Sequence, residues 1–370
     1  MKRIIYLCVQ AAVLGMRLIY GLMKRCLKVR NKVVFISRQS DRPSIDILLM
    51  RETIREKSPE TKVVILSRQM HNKILYAFHI LRQMGHIASA KTVVLDSYCI
   101  PVSVLKHRPG LTIIQMWHSI GSMKKFGYAM LGEEEGSDPE IARILCMHRN
   151  YTWILISSFE YLQDYIEGFH TDGSNVLEIP LPRADLLRDE AFIQRRREEI
   201  KQKQYYYQNK INIVYAPTFR KQPTEQDQES IKKLIDRIDF RKYNLIYKPH
   251  PVSTLEVHDP RVIVSHMNNI DMLAVADVVI TDYSSIIYEA GLVGRPVYLY
   301  TYDWETYKEK RFFNLDLEQD VPALFTPSAD EILNAIERQE FDSKAFRAFT
   351  KKNVHLPASC RQTMYELMNL

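Results

Sequence analysis

Two histidines and a cluster of hydroxyls stand where they could handle a phosphate. Thr281, Ser284 and Ser285 belong to the run Val278-Val279-Ile280-Thr281-Asp282-Tyr283-Ser284-Ser285-Ile286-Ile287, in which a short apolar stretch ends in hydroxyls and then becomes helical. Such a junction aims unpaired backbone N–H groups, the positive end of a helix dipole and several hydroxyl donors at one point. The same residue types also open a helix as ordinary caps, with no ligand needed. Two more polar clusters, Trp117-His118-Ser119 and Lys248-Pro249-His250-Pro251, each follow directly on a predicted strand. Three polar clusters at strand ends point to one cleft, because open α/β sheets bind ligands outside the carboxyl ends of their strands.

Around these clusters stand further candidates. Gly121 and Gly127 permit tight backbone after His118, and Lys124 and Lys125 add positive charge there; a capping histidine with solvated lysines is the plainer alternative. Lys248 and Arg220 are the best placed additional cations for a phosphate, although cations at strand ends are commonly just solvated. Asp282 is suited to orienting a hydroxyl or to capping the helix, and the aromatic and basic run from Tyr302 to Phe313 is a candidate lid. No Asp-x-Asp pair, Gly-rich phosphate loop or Cys/His cluster appears, so no metal site is expected.

The elements that must position these residues follow a regular rhythm. Strands are predicted at 33–37, 63–66, 93–95, 112–116, 153–156 and 176–179, with helices at 45–56, 73–83 and 159–166 between them. Short β-rich runs separated by helices mean parallel strands joined by crossover helices. A strongly charged stretch, 188–210, marks the domain boundary, and its Arg195-Arg196-Arg197 triplet reads as a solvated helix face. Strands at 211–216, 243–247, 262–264, 278–281 and 297–300 then repeat the pattern, with helices at 230–238 and near 271 and two more, 330–338 and 344–354, closing the chain. The expected fold is α/β, with two Rossmann-like lobes in a glycosyltransferase-B-like architecture: 31–190 as an N-terminal acceptor lobe and 191–370 as a C-terminal donor-binding lobe.

The chain has 370 residues, 46% hydrophobic and 26% charged, which is globular and long enough for two domains. Its net charge of +7 is unevenly placed. Residues 1–32 hold eight of the 51 basic residues and no acid, leaving 43 basic against 44 acidic residues for the rest. That asymmetry speaks against a nucleic-acid binder, whose basic stripe would lie on the folded body, and for a tail that meets an anionic membrane surface. Residues 4–23 are apolar enough to span a bilayer, but Arg17 would lie near mid-membrane; residues 1–30 therefore read as an amphipathic helix lying in the membrane plane, with a helix packed on the protein itself as the alternative. The five cysteines are scattered and odd in number, as expected of reduced thiols in a cytoplasmic protein.

The stretches Trp117-His118-Ser119 through Lys124-Lys125-Phe126-Gly127, Pro182-Arg183-Ala184-Asp185, Tyr215-Ala216-Pro217-Thr218-Phe219-Arg220, Lys248-Pro249-His250-Pro251, Thr281-Asp282-Tyr283-Ser284-Ser285 and Tyr300-Thr301-Tyr302-Asp303 resemble the CDP-glycerol glycerophosphotransferases of teichoic-acid synthesis. Six linked motifs in order are far more specific than any one of them. The resemblance implies a bacterial enzyme, peripheral on the cytoplasmic face of the membrane, that moves glycerol phosphate from CDP-glycerol to a hydroxyl of a lipid-linked saccharide and releases CMP, with no cofactor beyond that donor. It carries the family's functional histidines to His118 and His250 and its phosphate-binding hydroxyls to Thr281, Ser284 and Ser285. The family's usual Trp-His-Gly-Thr is Trp-His-Ser-Ile here, which leaves donor and acceptor preference open.

Such a reaction needs a base for the acceptor hydroxyl and stabilisation of the diphosphate as CMP departs. His118 is the candidate base, because imidazole titrates near neutrality, and His250 the candidate donor to a phosphate oxygen. With the base on one lobe and the phosphate seat on the other, activity is expected to depend on closure of the two. A CDP-ribitol-dependent transferase, a sugar-nucleotide glycosyltransferase of the same fold and a non-catalytic membrane-attached subunit are the competing readings.

Overall fold

The computed structural model describes residues 2–70, 72–220, 223–250 and 253–370. Pro251, one of the two prolines beside His250, lies outside them. The chain forms two compact units, the first from 1–119, 125–183 and 355–370, the second from 120–124 and 184–354.

In the first unit six strands form one parallel sheet: β1 (Lys32–Ser37), β2 (Lys62–Ser67), β3 (Thr92–Leu95), β4 (Thr112–Gln115), β5 (Trp153–Ile156) and β6 (Val176–Glu178), in the order β2-β1-β3-β4-β5-β6. Helices α2 (Ile45–Lys57) and α3 (Lys73–Ile87) are among its crossovers. Every residue of β1 is buried, as expected of a strand covered on both faces. The Asp-free, β-branched run Lys32-Val33-Val34-Phe35-Ile36-Ser37 is suited to that environment and to little else.

The second unit repeats the plan with β7 (Ile211–Tyr215), β8 (Tyr243–Tyr247), β9 (Val262–Val264), β10 (Val278–Thr281), β11 (Val297–Tyr300) and β12 (Phe325–Thr326), in the order β12-β11-β10-β7-β8-β9, again all parallel. Strand β12 escapes the sequence reading because two residues carry no periodicity. The helix expected over 230–238 begins earlier, at Glu225, where Thr224 and Asp227 form a reciprocal capping box. Helix 159–166 opens as a 3₁₀ turn at Phe159–Tyr161 before the α-helix Leu162–Phe169.

Three expectations are corrected. The chain end does not belong with 191–370: Cys360, Met364 and Met368 are buried in the first unit, where Thr92 Oγ1 donates to the Met368 carbonyl at 2.9 Å and the Ser58 and Tyr365 hydroxyls meet at 2.7 Å. The arginine triplet is not a freely solvated face, since Arg196 pairs with Asp271 at 2.6 Å and Arg197 with Asp277 at 2.5 Å. The run 302–313 is no lid. It holds the helix Trp304–Lys310, whose Tyr307 stacks on Tyr283 with ring centres 4.2 Å apart, while Phe313 packs edge-on against Tyr283 at 6.0 Å.

Helix α1 (Lys2–Cys26) is long and apolar enough to cross a membrane. Its inward side is latched onto the first unit along its length. Val13 and Tyr20 are buried, Tyr6 donates to Asp138 at 3.0 Å, Arg17 to the Val104 carbonyl at 3.1 Å and Lys24 to the Lys106 carbonyl at 2.6 Å, and the Tyr20 hydroxyl meets His107 Nδ1 at 2.9 Å. The opposite side exposes Ile4, Leu7, Leu14, Leu18 and Leu22, at the spacing of one helical stripe.

Candidate active site

His118 stands just beyond the carboxyl end of β4, where the backbone is strained into place. Trp117 adopts φ 59°, a left-handed conformation that costs a non-glycine residue energy and is repaid only by surrounding structure. That structure is explicit: the Trp117 N–H donates to Gln115 Oε1 at 3.0 Å, and its indole packs against Phe126 and Phe169 with centroids 4.7 and 5.2 Å away. Gly127 makes this packing feasible. Its φ is +58°, and a Cβ there would lie 2.1 Å from the Gly168 carbonyl oxygen.

The His118 ring has a defined tautomer. Nδ1 lies 3.0 Å from the Asp96 carbonyl oxygen, which can only accept, so the proton resides on Nδ1 and Nε2 keeps its lone pair. The Gln39 amide nitrogen is placed 3.2 Å from the same nitrogen; with Nδ1 protonated, the amide is assigned the turned-over orientation in which its oxygen accepts there. The imidazole is exposed at its edge yet deeply set among protein atoms. That crowding lowers its pKa to about 4, against the opposing hydrogen bond from Asp96 and with help from Arg183, a shift that solvent access moderates. His118 is therefore neutral near pH 7, as a base must be. Arg183 holds the backbone from below: Nη2 donates to the His118 carbonyl at 3.1 Å, while Nη1 pairs with buried Asp46. Sequence reasoning missed Gln39 and Asp96, since a supporting carbonyl and an amide 79 residues away leave no motif. Burial also pushes the Asp96 carboxyl up to about 6, with the Ser37 and Ser97 hydroxyls opposing, although neither oxygen has a well-aligned donor among the described residues.

In the second unit the hydroxyl motif divides into two parts. Thr281 is fully buried at the end of β10 and donates to the Ala216 carbonyl at 2.7 Å, so it ties β10 to the chain after β7 and cannot face a ligand. Asp282, also fully buried, accepts from the Thr218 N–H at 2.8 Å, the Thr218 hydroxyl at 2.6 Å, the Tyr283 N–H at 2.6 Å and Arg220 at 2.9 Å. Arg220 in turn donates to both oxygens of Asp303, at 2.8 and 3.0 Å, and to the Thr218 carbonyl at 2.9 Å, beneath the Tyr307 ring 4.5 Å away. Four of its five N–H groups are thereby used. The expected phosphate cation and the expected hydroxyl-orienting acid turn out to be a buried hub in which one guanidinium is spent on two carboxylates.

Ser284 and Ser285 are the other part. Both are half-buried at the start of the helix Ile286–Val293; the Ser284 hydroxyl makes one long contact with the Ile286 N–H, 3.4 Å, and Ser285 makes no side-chain cap. Their hydroxyls, with the helix N-terminus, are available to an anion. The Lys248 backbone N–H donates to the Tyr215 carbonyl at 2.9 Å, while its ammonium has no hydrogen-bond partner among the described residues; burial lowers its pKa, opposed by Glu289 of the same helix. His250 presents an exposed ring beside Phe219, 5.4 Å between centres, and its pKa is lowered by burial and by Lys248 and Lys124.

Lys124 reaches this neighbourhood on the inserted segment 120–124. The segment bridges Phe313, receives the Asn314 N–H on the Met123 carbonyl at 3.0 Å, and passes so close to Tyr288 that a Cβ on Gly121 (φ +70°) would lie 2.3 Å from the ring. The Lys124 ammonium donates to the Tyr307 hydroxyl at 2.8 Å, its one partner among the described residues. Burial lowers its pKa to about 7, against Asp282 and with Arg311 and Arg220. Among the described residues no three His, Cys, Asp or Glu side chains converge as metal ligands.

Two parallel α/β lobes, each with polar side chains at the carboxyl ends of its strands, define the glycosyltransferase-B-like class of fold. The profile of the family described as CDP-glycerol:poly(glycerophosphate) glycerophosphotransferase matches residues 19–357, and the chain belongs to that family, the CDP-glycerol and CDP-ribitol phosphate transferases of teichoic-acid synthesis. It is 28% identical to a teichoic acid ribitol-phosphate primase of Bacillus spizizenii, over 90% of this chain and 89% of that one. It is 27% identical to a poly(ribitol-phosphate) polymerase of the same organism, of which it spans only 53%. The fold is that of the wall teichoic acid polymerase TagF, with TM-score 0.77, 16% identity, and 99% and 97% of the two chains covered.

Proposed function

We propose that this protein transfers a polyol phosphate from a CDP-polyol to a hydroxyl of a lipid-linked saccharide and releases CMP. The observation that carries the reading is the His118 tautomer: Nδ1–H pinned by the Asp96 carbonyl, Nε2 bare, and a pKa below neutrality. The acceptor hydroxyl gives its proton to Nε2 as its oxygen bonds to the polyol-bearing phosphorus. The bridging P–O bond breaks, and its electron pair leaves on CMP. Ser284, Ser285, Lys248, Lys124 and His250 would hold the diphosphate and its developing charge.

CDP-glycerol follows from the family description; CDP-ribitol is favoured by the end-to-end correspondence with a ribitol-phosphate primase. CMP release from each donor, with a lipid-linked disaccharide as acceptor, separates them. UDP release from UDP-sugars with no CMP release would overturn both.

A pH test addresses Lys124. Its folded-state pKa is below the ordinary lysine value, so the ammonium is present below about 7 and lost above it. The ratio kcat/KM for the donor should fall as pH rises from 7 to 9 in the wild type and stay level in Lys124→Arg, whose guanidinium keeps its charge.

The exposed stripe of α1, flanked by Lys2, Arg3, Lys24, Arg25 and Lys28, would rest on the anionic cytoplasmic face of the membrane, in its plane, because the latched side is committed to the first unit. Leu14→Asp/Leu18→Asp should reduce partitioning onto vesicles of anionic phospholipid by at least about tenfold, at roughly 1.5–3 kcal/mol per leucine withdrawn. Unchanged partitioning would place the docking surface elsewhere.

A further inference from the structure

The first unit contains a cleft that the donor chemistry does not use. It opens at the carboxyl ends of β1 and β2, has a volume of about 320 Å³, and is lined by Asp41, Ser67, Arg68, Gln69, Asn72 and Leu75. That volume suits a disaccharide head group.

Hydrogen bonds connect its wall to the candidate base. The Gln69 N–H donates to Asp41 Oδ1 at 2.8 Å, and the Gln69 side-chain amide donates to the Gln39 carbonyl at 2.6 Å. The Gln39 side chain is the one that rests 3.2 Å from His118 Nδ1. The wall of the cleft is thus joined through Gln39 to the Nδ1 edge of the candidate base.

The lining is uncommitted where recognition needs it. The Arg68 guanidinium has no hydrogen bond or ion pair among the described residues, while its backbone N–H is fixed to the Ser37 carbonyl at 3.1 Å. The Ser67 hydroxyl oxygen is buried without a hydrogen-bond partner among the described residues. The cleft also changes character along its length. Leu75 is 50% exposed, and beyond the polar lining Met70 and Phe78 are 60% and 66% exposed, on and before helix α3, which packs against α1. One end is polar and cationic, the other apolar and beside the helix with the outward leucine stripe.

We propose that this cleft seats the acceptor: a saccharide joined to a lipid through phosphate. Arg68 meets the phosphate, Ser67, Gln69 and Asn72 meet sugar hydroxyls and amides, and Met70, Leu75 and Phe78 cover the first carbons of the lipid chain. The assignment rests on the transferase reading above and names the substrate site that the reading requires.

The test is direct binding to the full-length protein without donor, by titration calorimetry, of a disaccharide 1-phosphate with and without a dodecyl ester. The wild type should bind both, the dodecyl form more tightly. Arg68→Gln should weaken both by about tenfold or more, the effect of losing a charge-assisted hydrogen bond, and Phe78→Ser should weaken the dodecyl form alone. Both side chains are exposed, so an unchanged Tm is expected for each. Absence of binding to the wild type, or wild-type binding by Arg68→Gln, overturns the site. Transfer assays on the same preparations keep the two readings apart. CMP release with binding indifferent to Arg68 removes the site and leaves the function; Arg68-dependent binding with no CMP release from either donor removes the function and leaves the site.

Discussion

His118→Ala is expected to lower polyol-phosphate transfer by about 10²–10⁴-fold, the usual contribution of a positioned general base, while leaving the KM for the CDP-polyol nearly unchanged. The separation follows from where the ring sits: it is held by Asp96, Gln39 and Arg183 of the first unit. The pH profile gives a second readout. A histidine whose folded-state pKa lies below 6.5 stays neutral as the solution is acidified through 6.5, so the acid limb of kcat/KM should appear well below that value, toward 4. The same sign makes its contribution to stability fully present above pH 6.5 and lost as pH falls below it. An acid limb at 6.5 would mean that the ring is simply solvated and that its surroundings do not tune it.

Arg220→Ala is expected to act on folding rather than on donor binding. Removing the guanidinium leaves Asp282, fully buried, and Asp303 without their counter-charge, which costs about 3–5 kcal/mol. For a lobe of this size that corresponds to a fall in Tm of roughly 10 °C, read by calorimetry or circular dichroism. A phosphate ligand would behave in the opposite way, with a raised donor KM and an unchanged Tm. Arg220→Lys should recover only part of the loss, because an ammonium cannot reproduce the fork that engages both carboxylates and the Thr218 carbonyl.

The contrast between these two variants shows where residue types mislead. Arg220, Thr281 and Asp282 sit at strand ends in a recognisable motif, and each has chemistry that fits a phosphate or a hydroxyl. What turns them into scaffold is the arrival of Asp303, 83 residues after Arg220, and of the Ala216 carbonyl, 65 residues before Thr281. Ser284 and Ser285, two residues further on, have no such partners delivered to them among the described residues. Lys124 runs the other way. In sequence it is one of two adjacent lysines, but the structure sends Lys124 to Tyr307 in the second unit and Lys125 toward Glu167 in the first.

By itself the sequence determined the architecture and the positions of the polar clusters. Short β-branched runs of near-uniform apolarity, such as Val33–Ile36 and Val278–Ile280, can be buried on both faces only in a parallel sheet with helical crossovers, and the residues ending each run must then lie along one edge. That reasoning is local, and it held for eleven of the twelve strands. Tertiary structure alone decided which polar residues at that edge are spent on one another and which remain open, which nitrogen of His118 carries the proton, and that residues 355–370 return to the first unit. The physical reason is the same in each case. A hydrogen bond or ion pair depends on a partner tens of residues away arriving within about 3 Å, and no local pattern of residue types encodes that arrival.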